Sequence, residues 1–120
     1  MAKHDKKREE KKMNKKTLNY DKDNDILFIH KGFSPDEKFK GNIDAGNLVL
    51  DLSTKGRVKG IEILNATVFL KEFEIGRETL ESLIDADFES ISNPDSITIS
   101  LLLKSKRAET KAKIAVAMAN

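Results

Sequence analysis

Residues 46–66 of this 120-residue chain read GNLVLDLSTKGRVKGIEILNA. Two apolar runs, 48–52 and 57–64, flank the polar turn Ser53-Thr54-Lys55-Gly56. Alternating apolar residues with a glycine in the intervening turn are typical of an antiparallel β-hairpin. The pattern predicts that this hairpin is the centre of the fold and that the rest of the chain supplies the core that the hairpin needs.

The second strand of the hairpin changes phase along its length. Val58 is followed by apolar residues at positions 61 and 63 rather than at 60 and 62. One extra residue at Lys59-Gly60 would restore the alternation, because a β-bulge places two residues opposite one on the neighbouring strand. The sequence therefore predicts a bulge there, with the three apolar side chains on one face and Glu62 on the other.

Composition excludes several classes of protein. The chain is long enough for one domain with a modest core, and 38% of its residues are apolar. It contains no cysteine, which excludes disulfides, thiol nucleophiles and thiolate metal sites. No apolar run approaches the roughly 18 residues of a membrane-spanning helix, and the charged N-terminus does not resemble a secretory signal. We expect a cytoplasmic protein that is not associated with a membrane.

Residues 1–17 (MAKHDKKREEKKMNKKT) form a basic segment. They carry eight basic and three acidic residues, a net charge of +5, on a body of net charge −3. Three apolar side chains cannot offset the entropy of ordering the segment, so it is predicted to be disordered. Two interpretations stay open: a solubilising tail, or an arm that binds nucleic acid by neutralising phosphates. The arm would use Lys6, Lys7, Arg8, Lys11, Lys12, Lys15 and Lys16.

The run Ile26–Ile29 predicts a strand, and the acidic stretch 21–25 before it predicts a turn, since Asp and Asn side chains bond to nearby backbone groups. The Asp-x-Asp-x-Asp spacing superficially matches a calcium loop. It fails at the sixth position, which is Ile26, and at the twelfth, which is Gly32. Residues 32–44 are predicted to be a connection with an irregular edge segment near 39–43.

Two short helices are predicted after the hairpin. Residues 68–73 and 77–86 place apolar side chains at helical spacing, and Gly76 separates the two segments. Phe88 and Ile91 would then fall in a linking segment before a turn at Asn93-Pro94-Asp95.

The end of the chain predicts a second hairpin. Residues 97–104 alternate between apolar and polar side chains, which is typical of a strand. Residues 110–118 also alternate but are rich in alanine, which favours a helix. A strand is the preferred interpretation, because it would pair with 96–104 instead of leaving an unpaired edge.

The combined prediction is a tail over 1–17 and a single α+β domain over 18–120. An N-terminal β-meander and a C-terminal β-hairpin form an antiparallel sheet, and two short helices cover one face. The meander is assigned to 26–31, 47–53 and 57–64, and the hairpin to 96–104 and 110–118. The other face would carry Phe28, Val49 and Leu102, an apolar surface that favours a homodimer or a small protein partner.

No catalytic, cofactor or metal site is predicted. His30 is the only histidine outside the tail, and one histidine without cysteine cannot supply the ligands of a usual zinc site. Asp44, Asp51 and Glu62 lie on or beside the central strands. A pair of carboxylates ~5–9 Å apart can do acid–base chemistry, but solvated charges on an outer face are the simpler interpretation.

Four residues are assigned structural roles. Asp51 and Gly56 lie at the hairpin turn, Gly60 lies in the bulge, and Asn65 is placed to cap the first helix, with Thr67 as the alternative cap.

Several motifs also match one known family together. They are Tyr20-Asp21, Asp25 before Leu27-Phe28-Ile29, Leu50-Asp51-Leu52, Gly56-Arg57-Val58 and the run Gly60–Ala66. With these motifs, residues 18–67 resemble the small prokaryotic family catalogued as domain of unknown function 2283. Lys55 departs from the pattern, which has an acidic residue before the glycine. The family's biochemical role is uncharacterised, and the likeness of some members to antitoxins of two-gene toxin modules implies an antitoxin-like role.

Three functions stay open at this point. The preferred one is a non-enzymatic protein-interaction module whose acidic body masks a small basic partner, as an antitoxin would. The second is a nucleic-acid-binding protein that uses residues 1–17. The third is an enzyme with an unrecognised carboxylate site.

Overall fold

The computed structural model describes residues 16–117. Within that range the chain forms strands and short helices, and no helix has the length and apolar character needed to cross a membrane. The elements are β1 (Thr17–Asp21), β2 (Ile26–His30), β3 (Phe39–Ala45), β4 (Leu48–Ser53), β5 (Val58–Leu64), α1 (Ala66–Phe69), a 3₁₀-helix (Leu70–Phe73), α2 (Arg77–Glu81), β6 (Leu83–Ser92), β7 (Ser96–Ser105) and β8 (Glu109–Ala117).

The first five strands form an antiparallel sheet in the order β1-β2-β5-β4-β3. The predicted hairpin is confirmed as β4 and β5. The predicted meander is wrong in its order, because β2 pairs with β5 and not with β4: Leu27 lies opposite Ile63. The three consecutive strands that do form a meander are β3, β4 and β5. The chain must therefore cross the ends of β5 and β4 between β2 and β3.

The predicted bulge is confirmed on β5. Asp51 lies opposite Gly60, whereas the next residue of β4, Leu52, lies opposite Val58. Lys59 is thus the extra residue. As a result, all three apolar side chains of the strand face the core and are at most 3% exposed: Val58, Ile61 and Ile63.

The two edge strands of this sheet differ from expectation. The segment predicted as an irregular edge is the seven-residue strand β3, which carries a register shift between Phe39 and Gly41. Strand β1 was not predicted, and it begins at Thr17, inside the segment assigned to the tail. The turn from β1 to β2 is confirmed: the Asp21 carboxylate accepts hydrogen bonds from the backbone N–H and the side chain of Asn24.

The second half of the chain forms a separate three-stranded sheet in the order β6-β7-β8. Strands β7 and β8 match the predicted hairpin. The helix predicted over 77–86 is wrong beyond Glu81, where α2 ends. Phe88 and Ile91 lie in the ten-residue strand β6 and not in a linking segment. The strand is favoured over the helix that the spacing predicts, because pairing with β7 buries Phe88, which is 1% exposed.

Both sheets contribute to one hydrophobic core, so the prediction of a single sheet covered by helices is corrected. Each sheet turns one apolar face inward, and the helical segment between them adds four buried side chains: Ala66, Leu70, Ile75 and Leu80. Two polar contacts also join the sheets. Lys16 pairs with Asp85 at 2.9 Å, and the Lys31 ammonium lies 4.6 Å from the centroid of the Phe88 ring. Residues 16–117 thus form an antiparallel, strand-rich fold with two short α-helices.

Candidate interaction surface

The face of the five-stranded sheet that points away from the core carries the candidate site. Strand residues alternate between faces, so the register defines two rows that each cross all five strands. The first row consists of Asn19, Phe28, Glu62, Val49 and Asp44. The second row consists of Thr17, His30, Gly60, Asp51 and Asn42. We call these ten positions the outer rows.

His30 is buried in the second row, with 9% of its surface exposed. Its Nδ1 atom accepts a hydrogen bond of 2.7 Å from the backbone N–H of Gly32. In a neutral imidazole the other nitrogen then carries the proton, and Nε2 lies 3.7 Å from Oδ2 of Asp51. Burial lowers the pKa of His30, and Lys59 adds to this effect while Asp51 opposes it. Burial and the hydrogen bond to Nδ1 both favour the neutral imidazole, whose Nε2–H then points towards the Asp51 carboxylate.

Aromatic rings extend from His30 in both directions. Phe28 stacks on the imidazole with 5.9 Å between ring centroids. Phe33 meets the other side edge-on at 4.7 Å, and Phe39 continues the series at 6.0 Å from Phe33. Such offset and edge-on pairs are favourable ring geometries. Phe39 is 50% exposed, so the ring series presents apolar surface to solvent at the edge of the sheet.

Gly60 makes the contact between β2 and β4 possible. A Cβ atom at this position would lie 2.8 Å from Oδ2 of Asp51 and closer still to Cδ2 of His30. Contacts that short do not occur in real proteins, so the glycine leaves the space in which these two side chains meet across β5. Besides its predicted role in the bulge, Gly60 thus leaves room for the His30–Asp51 contact, which the sequence did not reveal.

Within residues 16–117, no lysine or arginine pairs with the carboxylates of the outer rows. Asp51 accepts a hydrogen bond from Nδ2 of Asn42 and faces His30, whose charged form is disfavoured by burial. Within residues 16–117, neither Asp44 nor Glu62 takes part in an ion pair. No position of the outer rows is Lys or Arg. The three predicted carboxylates therefore share one face and give the ten outer-row positions a formal charge of −3, while the bulged Lys59 beside them pairs with Glu37.

The connection between β2 and β3 is fastened over one end of this face by Glu37. Arg57 donates hydrogen bonds of 2.7 and 2.6 Å to the two carboxylate oxygens of Glu37, and the Ser53 hydroxyl donates a third bond of 2.7 Å to the same carboxylate. The Lys59 ammonium lies 3.7 Å from Oε1 of Glu37. The hydrogen bonds from Arg57 and Ser53 are the main reasons why the pKa of Glu37 falls to about 2. This clamp was missed in the sequence, where Glu37 lies in a connection without periodicity.

A second polar cluster joins the β1–β2 turn to α1. Asp25 adopts a left-handed conformation with φ of 55°. Its carboxylate accepts hydrogen bonds from the Tyr20 hydroxyl at 2.7 Å and from the Thr67 hydroxyl at 2.6 Å. Burial and the hydrogen bond to Asp25 raise the pKa of Tyr20 to about 12. The cluster is a structural brace at the far end of the sheet.

The helix cap predicted at Asn65 or Thr67 is corrected. Asn65 precedes α1 with φ of 51° and makes no side-chain capping hydrogen bond. Its backbone carbonyl accepts from Val68 and Phe69 instead. Asn65 therefore supports the turn into the helix through its conformation, which asparagine tolerates better than most residues.

Other predicted residues fall in several places. Lys6, Lys7, Arg8, Lys11, Lys12 and Lys15 lie outside the described residues. Lys16 is engaged with Asp85. Gly56 lies in the β4–β5 turn with φ of 75°, as its assigned role requires. Leu102 lies on β7 in the other sheet, so it does not extend the surface that contains Phe28 and Val49. Residues 16–117 contain no group of three or more side chains that could hold a metal ion.

Comparison with known proteins gives two matches. The family model described as "Protein of unknown function (DUF2283)" matches residues 17–66. An uncharacterized protein of Methanocaldococcus jannaschii is 32% identical over 87 residues, which cover 72% of this chain and 70% of that protein. No solved structure matches the chain significantly. All ten outer-row positions, together with Glu37 and Arg57, lie within the segment that the family model matches.

Proposed function

Since the chain belongs to DUF2283, a family of proteins of unknown function, we propose from its geometry that it is a protein-interaction module. The outer rows bind a segment of a partner protein that is rich in lysine or arginine. The observation that carries this proposal is a sheet face that combines a series of aromatic rings with three carboxylates that no lysine or arginine of residues 16–117 neutralises.

The chemistry of the face suits long basic side chains. Lys and Arg pack their aliphatic stems on apolar surface while their charged ends stay in a polar environment. Phe28 and Val49 would contact the stems, and Glu62 and Asp44 lie beside them in the same row. A cation near a ring face gains a further attraction of about 0.5–1 kcal/mol at exposed sites. Complementary charge adds specificity and a faster association rate.

The burial of the imidazole supports binding without turnover. A general base needs an acceptor nitrogen within reach of its substrate, whereas Nδ1 of His30 already accepts from Gly32 and the residue is only 9% exposed. Asp51 and Glu62 are diagonal neighbours on β4 and β5, and Asp51 is already bound by Asn42. These observations favour a non-enzymatic module over the enzyme considered from the sequence.

The same charges bear on the other candidate partners. Phosphate groups would be repelled by the outer rows, so a role in nucleic-acid binding would fall to residues 1–15 and their lysines. A second copy placed face to face would bring identical carboxylates together. A basic segment of a different protein avoids both problems, and an antitoxin-like protein that masks a basic partner is one case of this function.

The test is an NMR titration of the full-length protein with a short lysine-rich peptide at low salt. We expect amide shifts at Phe28, Val49 and Glu62 that weaken as salt is added. The double variant Asp44→Lys/Glu62→Lys should lose them. Its matched control, Asp87→Lys/Glu89→Lys, makes the same charge change on the exposed face of β6 and should keep them. Equal shifts in both variants, or no shifts with the unaltered protein, would overturn the proposal.

A further inference from the structure

The outward faces of the two sheets differ in how their charges are balanced. On the three-stranded sheet, each acidic side chain of β6 has a basic residue in its own row. Asp85 pairs with Lys16 and lies opposite Lys104. Asp87 and Lys111 both lie opposite Leu102, and Glu89 and Lys113 both lie opposite Ser100. Among the described residues of the five-stranded sheet, neither Asp44 nor Glu62 has a basic residue in its row, and the bulged Lys59 near Asp51 pairs with Glu37 instead.

The N-terminal residues have the complementary charge. Residues 1–15 contain seven Lys or Arg and three Asp or Glu, a net charge of +4. They join the sheet at Thr17, the first residue of β1, which lies directly opposite His30 in the second outer row. The chain thus enters the fold at the end of the row that contains Asp51.

Residues 1–15 are also long enough to reach every strand of the face. An extended chain spans up to about 3.3–3.6 Å per residue, which gives about 50 Å for 15 residues. Five strands about 4.8 Å apart span roughly 19 Å. A tethered segment acts at an effective concentration of about millimolar when its length suits the distance. Docking with a dissociation constant below about a millimolar would therefore keep the face mostly occupied.

We propose that residues 1–15 dock in cis on the outer rows and act as a built-in competitor for the basic partner. This inference rests on the proposed function and names its regulation. The lysines of the segment meet Asp44, Asp51 and Glu62, and a partner gains access only by displacing them. The partner's apparent affinity is then reduced by the fraction of molecules in which the segment is docked.

The absence of cysteine allows a direct test in the full-length protein. A nitroxide label on the variant His4→Cys broadens the NMR signals of nearby amides. We expect the broadening to centre on Phe28, Val49 and Glu62 at low salt and to disappear at high salt. Adding Asp44→Lys/Glu62→Lys should abolish it, whereas adding Asp87→Lys/Glu89→Lys should not. Broadening centred on β6 to β8, or none at low salt, would overturn the inference.

A second measurement separates this inference from the proposed function. In the full-length variant Lys6→Ser/Lys7→Ser/Arg8→Ser the competitor is weakened, so the added lysine-rich peptide should bind several-fold more tightly than to the unaltered protein. Equal affinity in the two proteins contradicts the cis competitor but leaves the peptide site in place. No peptide binding in either protein contradicts the proposed function, while the nitroxide label still reports where the segment lies.

Discussion

Arg57 donates two hydrogen bonds to the carboxylate of Glu37, 20 residues earlier in the chain, and thereby fastens the β2–β3 connection to the β4–β5 turn. Planar, charge-assisted pairs of this kind are among the stronger hydrogen bonds in proteins. The connection carries Phe33 beside His30. The clamp therefore also holds one side of the ring series on the candidate surface.

The clamp predicts a specific loss of stability in acid. The pKa of Glu37 falls from 4.5 to about 2 on folding. A depressed carboxyl pKa contributes stability that is full above pH 4.5 and is lost as the pH falls towards 2. In Glu37→Gln we expect this part of the pH dependence to disappear in unfolding experiments. The control Glu72→Gln, at an exposed position of the 3₁₀-helix, should retain it.

His30 should make stability fall at mildly acidic pH. Its pKa is lowered from the ordinary value of 6.5, mainly by burial. The unfolded chain then binds a proton more readily than the folded one, so stability is lost as the pH falls below 6.5. The variant His30→Asn should remove this dependence. Imidazole nitrogen NMR should show protonated Nε2 and acceptor Nδ1 at neutral pH; the opposite tautomer would contradict the assignment.

Two glycines of the same sheet form a matched pair. Gly60→Ala places a methyl group against His30 and Asp51, and we expect a loss of about 1–3 kcal/mol in the free energy of unfolding. Gly41→Ala has no neighbouring atom within 4 Å and should change it by no more than about 0.5 kcal/mol. Denaturant unfolding measures both. Similar losses of unfolding free energy in the two variants would show that stability does not require a glycine between His30 and Asp51.

The brace at Asp25 can be tested without disturbing its backbone. Asn tolerates the left-handed conformation, so Asp25→Asn keeps the turn but weakens the hydrogen bonds from Tyr20 and Thr67. We expect a loss of about 1–2 kcal/mol and a lower pKa of Tyr20, measured by ultraviolet titration. Asp23→Asn makes the same change at an exposed position of the same turn and should leave both quantities unaltered.

The boundary between α2 and β6 gives a test by substitution. Leu80 is 1% exposed and Ile84 is 63% exposed, although the predicted helix placed both in one apolar stripe. Leu80→Ala should cost about 2–5 kcal/mol, and Ile84→Ala no more than about 0.5 kcal/mol. Thermal or urea unfolding measures both. Comparable losses would support the helix over 77–86 and contradict strand β6.

The parts of the fold that were predictable are those set by local pattern. Residues 48–64 carry both the alternation and the turn that a hairpin needs, and the phase change at Gly60 locates the bulge. Strand β6 was missed because Leu80, Leu83 and Ile84 lie at helical spacing, and only pairing with β7 decides against a helix. Strand β1 was missed because Leu18 and Tyr20 are its only apolar side chains and a charged run precedes them.

The candidate surface was only half predictable for a similar reason. Phe28, Val49 and the carboxylates could be placed outward from alternation alone. The contact between His30 and Asp51 depends on the strand order β2-β5-β4, which no local pattern specifies. The Glu37–Arg57 clamp depends on the path of the connection across the sheet. Both features come from long-range pairing and not from the spacing of the residues involved.

The position of β2 between β1 and β5 has a consequence for biosynthesis. The nascent chain emerges with its N-terminus first, so β2 can pair with β1 soon after the ribosome releases it. Its other edge has no partner until residues 58–64 have left the ribosome. Until then the apolar sequence ILFIH presents open backbone groups, the kind of transient edge that attracts aggregation or chaperones. Emergence of Leu64 from the ribosome ends that exposure and allows the five-stranded sheet to form.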